Sequence, residues 1–208
     1  MASPPSPTES KSFLVTPTTT LTQSFVLEDR LTDATSVDTL KGMFFERILD
    51  LGKGAGVGTQ ALPPRVIRTY RTFGDYPVGD YYVIIHEVAR RMHPRVTNVE
   101  AIRRVSVLDF ERLAESTVGR VMMSFAGDVS ATLLQAERLY GAILKGSAKV
   151  RGEKIDGGVR LTYRDFPGLA EYYPIGTIEG LCRHFRADYE IRVESISPRD
   201  ADYIIRLR

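Results

Sequence analysis

The sequence predicts an α+β fold: a helical N-terminal body packed on a C-terminal four-stranded antiparallel sheet with one crossing helix, in the order β-β-α-β-β. Three observations predict it. Val159, Leu161 and Tyr163 alternate with Arg160, Thr162 and Arg164, the pattern of a strand with one face in a core and one in water. After Pro174, Ile175, Ile178, Leu181, Cys182 and Phe185 fall on one stripe of an amphipathic helix. Tyr189, Ile191 and Val193, then Tyr203, Ile205 and Leu207, return to a period of two on either side of the break Ser197-Pro198-Arg199-Asp200.

The first hairpin completes the unit. Ala148, Val150 and Gly152 alternate ahead of Asp156-Gly157-Gly158, residues that tolerate the positive φ of a tight turn. With 208 residues and 43% hydrophobic content, the chain is long enough to bury a sizeable core, and we expect a single domain over 21–208, mainly helical over 21–146 and ββαββ over 147–208. Residues 1–20 are rich in Pro, Ser and Thr and are expected to be a flexible tail, with Phe13, Leu14 and Val15 as its only apolar anchor for a partner.

Charge narrows the function classes. A net charge of +2 from 28 basic and 26 acidic residues gives no nucleic-acid surface, and 22 of the basic residues are Arg. One cysteine, Cys182, excludes an internal disulfide framework and paired-cysteine metal knuckles. No apolar run reaches the length of a membrane span, and no signal sequence is visible, so the expected location is cytoplasmic.

The body reads as a series of helices. A short strand is expected over Gln23–Leu27, then a helix over Val37–Leu51, capped by Ser36 or Asp38, with Leu40, Phe44, Ile48 and Leu51 on its apolar face. Gly52-Lys53-Gly54-Ala55-Gly56-Val57-Gly58 matches neither the phosphate-loop nor the dinucleotide spacing and reads as a helix exit. Pro63-Pro64 is expected to open a helix carrying Arg65, Arg68 and Arg71 as a basic edge. Asp80–Met92, Asn98–Leu113, Thr117–Phe125 and Val129–Leu144 complete the body.

No catalytic constellation stands out. Cys182 and His184 lie two apart on one predicted helix, about 200° around its axis, and cannot form a dyad. Neither His86 nor His93 has a second ligand one turn away. We therefore expect no enzyme activity and no metal.

LKGMFF (Leu40 to Phe45), YPVGDYYVIIHEVARRMHP (Tyr76 to Pro94), the Gly119-Arg120 pair and YYPIGTIEGLCRHF (Tyr172 to Phe185) together resemble an uncharacterised myxobacterial paralogue family, a domain of unknown function. That resemblance implies a compact cytoplasmic domain and transfers no catalytic residues. The unit from LTYRDFPGL to DYIIRLR is also similar to haem nitric-oxide/oxygen binding domains and to vinyl-reductase-like small-molecule binding domains. The former hold the haem propionates with Tyr-x-Ser-x-Arg; here the aligned residues are Tyr163, Asp165 and Pro167, and only the tyrosine matches. They also need a proximal histidine, and none lies between His93 and His184. The metal sites of vinyl-reductase-like domains need more than one cysteine. No cofactor is expected.

Two functions follow. The first is a non-catalytic sensory or regulatory module binding a small apolar or amphiphilic ligand between helices and sheet, with Tyr140, Tyr163, Phe166 and Ile178 as pocket wall. The second is a protein-interaction or assembly subunit, homodimeric or in a larger complex, using Phe13, Leu14 and Val15 together with Arg65, Arg68 and Arg71.

Overall fold

A computed structural model describes residues 11–208 except 36, 59, 61, 68, 125 and 126. The C-terminal alternation builds its main sheet. Strand β5 (Lys149–Ile155) turns through Asp156-Gly157 into β6 (Gly158–Arg164), with Gly157 at φ +70°. Strands β7 (Tyr189–Ser197) and β8 (Asp200–Leu207) form the second hairpin, and helix α8 (Tyr173–His184) connects the two. Every inward residue named for these strands except Ala148, Gly152 and Leu207 is buried.

The sheet has five strands, not four. Strand β1 (Lys11–Val15) pairs antiparallel with β7, giving the order β1-β7-β8-β6-β5. One inward row runs Phe13, Val193, Tyr203, Leu161, Gly152 across all five. The expected flexible tail is thus part of the sheet from Lys11 onward, and residues 1–10 lie outside the described residues. Composition hid the strand because an edge strand needs few apolar side chains when its backbone hydrogen bonds are made to a neighbour. Only Phe13 and Val15 point inward, and Val15 is fully buried.

The helical body comprises α1 (Leu27–Asp33), α2 (Gly42–Lys53), α3 (Val78–Met92), α4 (Asn98–Glu115), α5 (Thr117–Ser124), α6 (Val129–Leu134) and α7 (Ala136–Ile143). A small second sheet ties its ends together: β2 (Thr39–Lys41) lies between β3 (Asp75–Pro77) and β4 (Leu144–Lys145), with Asp75 gripped by Lys41 at 2.7 Å and Lys145 at 2.5 Å.

Several expectations for the body are corrected. The segment Gln23–Leu27 forms no strand, and α1 starts at Leu27. The helix expected from Val37 begins at Gly42, because Thr39–Lys41 are used by the small sheet. Asp38 caps no helix: its buried carboxylate accepts from Thr35 N at 2.9 Å and Thr35 Oγ1 at 2.6 Å, and Ser36 lies outside the described residues. After Pro63-Pro64 the described residues turn without forming a helix. Val66 and Tyr70 are buried at helical spacing, but Ile67 N donates to Asp80 at 3.1 Å and Arg71 N to the Tyr76 hydroxyl at 2.7 Å, so side chains replace the carbonyls a helix would use. The helix expected over Val129–Leu144 breaks at Gln135 into α6 and α7. Thr117–Phe125 is α5 to Ser124, with Phe125 outside the described residues.

Two apolar clusters result. One joins the inner sheet face to α8 and α6; the other gathers α2 and α3. Helix α4 serves both, giving Val99, Phe110 and Ala114 to the first and Ala101, Ile102 and Val105 to the second. Residues 16–21 form a strap that crosses α4 after leaving β1. There the buried Arg103 donates to the carbonyls of Thr16 and Thr19, to Glu179 at 2.7 Å and to Glu100 at 3.2 Å, while Leu21 N donates to Glu100 at 3.1 Å.

Removing Arg103 leaves two buried carboxylates short of their partner. Arg103→Ala is expected to lose on the order of 3–5 kcal/mol in urea unfolding. Lys53→Ala, which removes an exposed pair with Asp50, should leave the midpoint unchanged. Equal midpoints for the two variants would show that the Arg103 cluster does not hold the strap.

Candidate functional site

A cavity of about 150 Å³ lies between the two apolar clusters. The sheet contributes Leu161 and Tyr163, α8 contributes Tyr173, Thr177, Ile178 and Leu181, and the body contributes Phe44, Val78, Tyr81 and Phe110. Helices α6 and α7 close it with Leu133, Ala136, Tyr140 and Ile143. Their approach to the sheet needs Gly152, where a β-carbon would stand 2.2 Å from the Leu133 carbonyl oxygen.

Tyr140, Tyr163, Phe166 and Ile178 are all brought together in this wall. The three rings meet edge to face: Tyr140–Tyr163 centroids are 5.6 Å apart, Tyr163–Phe166 5.4 Å and Tyr140–Phe166 6.1 Å. The Tyr140 and Tyr163 hydroxyls lie 3.1 Å apart, and a second pair, Tyr81 and Tyr173, lies 3.0 Å apart. Burial pushes all four phenols up from their ordinary range, so they stay protonated. Sequence reasoning missed Tyr81 and Tyr173 as wall residues. Tyr81 was legible only as a member of an apolar helix face, and Tyr173 precedes the stripe of α8.

The other named residues are elsewhere. Phe13, Leu14 and Val15 pair with Val193, Arg192 and Ile191 inside the sheet. Arg65 and Arg71 are exposed on the connection before β3, and Arg68 lies outside the described residues. Cys182 is fully buried in the sheet-side cluster, where burial, with Glu179 adding to it, pushes the thiol up to about 12. His86 packs edge-on to Phe25 at 6.0 Å, His93 lines a separate polar cleft beside Arg103, and His184 lies against Phe185.

Residues 33–206 match the family model described as "Protein of unknown function (DUF2378)". The chain belongs to this family. No curated protein matches it. Among solved structures, this member of DUF2378 is similar to an H-NOX protein from S. oneidensis in the Fe(II)NO ligation state, with a TM-score of 0.63, 16% identity, and 81% of this chain and 99% of that one covered. An Fe(II) unliganded H-NOX protein from K. algicida gives 0.60, 15%, 81% and 97%. At such identities the likeness shows the fold: the DUF2378 chain is H-NOX-like.

The wall does not fit haem. Among its described residues there is no histidine or cysteine to ligate iron, and no Lys or Arg to meet two propionates. The phenols are held in the protonated form, which is a poor ligand for iron. At the positions of the propionate motif, Asp165 is exposed with φ 51°, and its backbone N donates to Asp200 at 3.1 Å. Pro167 lines the cavity without a donor. Among the described residues no cluster of His, Cys, Asp or Glu could hold a metal ion, and no helix is long and apolar enough to cross a membrane.

The histidines set an acid limit instead. Burial lowers both His86 and His93 from 6.5; for His86, Glu87 and Glu28 oppose the shift and Arg90 adds to it, and for His93, Arg104 adds and Glu100 opposes. The unfolded chain takes up these protons near pH 6.5 while the folded chain still resists, so the two histidines remove stability as pH drops below about 6.5. Urea midpoints at pH 7.5 and 5.5 should show this fall, and a His86→Gln, His93→Gln double variant should show less of it.

Proposed function

We propose that this domain is a non-catalytic cytoplasmic module, sensory or regulatory, that binds a small apolar or amphiphilic ligand between its helical body and its sheet. The observation that carries the reading is the cavity itself, apolar and lined from both clusters. A largely apolar cavity of this size takes guests on the scale of benzene. The wall offers no nucleophile with a base beside it, which supports binding without chemistry. The likeness to small-molecule-binding folds adds an argument by analogy.

Sensing requires that occupancy reach the surface. Helix α7 is suited to that, since Ala136 alone among its residues is fully buried, Tyr140 and Ile143 being half-buried, and its end runs directly into β4 of the small sheet. A guest pressing on Tyr140 or Ile143 bears on an element that little else holds down.

The second reading, a partner or homodimer contact, is favoured by one surface feature. Phe73 is 73% exposed, with Ile67, Arg65 and Arg71 also exposed on the same connection.

The ligand reading is tested with toluene as probe. Wild-type protein at a hundredfold excess over the dissociation constant gains roughly 2.7 kcal/mol, read as a rise in Tm of several degrees. Ala136→Phe fills the cavity from α7 and should abolish the rise. An unchanged wild-type Tm with toluene and similar aromatics would sink the reading.

A further inference from the structure

The cavity wall holds more hydrogen-bond donors than it satisfies. A pair of phenols has two protons, and one bond between the two oxygens uses one of them. The Tyr140–Tyr163 and Tyr81–Tyr173 pairs each make that single bond, with no further partner for any of the four hydroxyls among the described residues. Each pair therefore carries one spare O–H in an apolar enclosure. The Thr177 hydroxyl, also in the wall, has no partner among the described residues either. The remaining hydroxyls are engaged: Tyr82 donates to the Gly168 carbonyl at 2.7 Å and Thr132 to the Asp128 carbonyl at 2.8 Å.

A buried donor without an acceptor is costly, whereas an acceptor with a lone pair to spare is common. The surplus is thus a demand for an acceptor. It cannot be a carboxylate or phosphate, since the wall offers no cation to balance a buried charge. Ammonium groups are unsuited too, having only donors themselves and no carboxylate in the wall to balance their charge. A water can serve the hydroxyls until a guest displaces it with an oxygen of its own.

We infer that the ligand is a small neutral molecule, mostly hydrocarbon, bearing a carbonyl-type oxygen that accepts from the spare hydroxyls of the Tyr140–Tyr163 and Tyr81–Tyr173 pairs. This rests on the cavity being the ligand site. Both pairs line the same cavity, so a guest held there faces donors from each side. The rings supply flat apolar faces and the hydroxyls fix orientation, the division of labour usual in small-molecule pockets.

The test uses two probes of the same shape and the same number of non-hydrogen atoms, acetophenone and 2-phenylpropene, which differ by an oxygen in place of a methylene. Dissociation constants are measured by calorimetry on the full chain. Wild type should bind acetophenone about tenfold more tightly, the worth of one buried hydrogen bond. Tyr140→Phe alone should keep the preference, because Tyr163 still has its proton to give. The double variants Tyr140→Phe/Tyr163→Phe and Tyr81→Phe/Tyr173→Phe remove both partners of a bond at nearly unchanged shape, so they should fold as wild type. The quadruple variant, with all four tyrosines changed to phenylalanine, removes every spare phenol proton, and in it the ratio should fall to about one. Equal affinities in wild type, a ratio that survives in the quadruple variant, or tighter binding of benzoate than of acetophenone would overturn the inference while leaving the cavity as a binding site. Failure of both probes to bind wild type would overturn the cavity reading and this inference with it.

Discussion

The crossing of α4 and α8 is the constraint on which the rest of the structure depends. Two glycines of α8 make it close: a β-carbon at Gly176 would stand 2.3 Å from the Arg103 carbonyl oxygen, and one at Gly180 would stand 2.7 Å from the Phe110 β-carbon. At that separation Arg103 reaches Glu179 at 2.7 Å with both side chains almost wholly buried. A buried ion pair adds little net stability over hydrocarbon of the same shape. What it does here is tie one turn of α8 to one turn of α4. The same guanidinium then collects the Thr16 and Thr19 carbonyls, so one side chain joins α8, α4 and the strap that follows β1.

The cavity follows from that geometry. Because α4 feeds both apolar clusters, neither packs as a closed unit, and they meet along the line where Phe110, Tyr173 and Ile178 face the gap. On the far side the Arg47 guanidinium grips Asp109 through two bonds of 2.8 and 3.0 Å and lies 4.5 Å over the Phe44 ring, fixing that wall. The near side has no such brace. There, α6 and α7 are short, and Leu134 at the end of α6 is exposed. A gap with one rigid wall and one lightly held cover is the arrangement in which a guest can alter a surface.

Much of this was legible. The period-two runs at Val159–Tyr163, Tyr189–Val193 and Tyr203–Leu207 and the stripe from Ile175 to Cys182 lie in elements whose one face is buried, where side-chain pattern and structure report the same fact. The strand at Lys11–Val15 was not, since it is held by pairing with Ile191–Ser195, a contact far away in sequence. The connection after Pro63 failed for a related reason: Val66 and Tyr70 are buried at i and i+4, but the acceptors for that backbone come from Asp80 and Tyr76 further along. Of the site, Tyr140, Tyr163, Phe166 and Ile178 were named because large apolar side chains were visible there in the sequence. The hydroxyl pairing was not, as it depends on α7 meeting β6 and α3 meeting α8 across the gap.

The likeness to H-NOX proteins and the misfit to haem are two results of the same layout. Here a helical body set over an antiparallel sheet and its crossing helix leaves a space at their junction. Which guest that space suits is decided afterwards, by the polar groups the wall carries. An iron porphyrin needs a nitrogen, thiolate or deprotonated phenol as ligand and donors for its propionates. This wall has neutral phenols and a threonine hydroxyl in an otherwise hydrocarbon surface, a set that binds without charge. The fold therefore supplies the space, while the tyrosines set the chemistry of that space, and the second does not follow from the first.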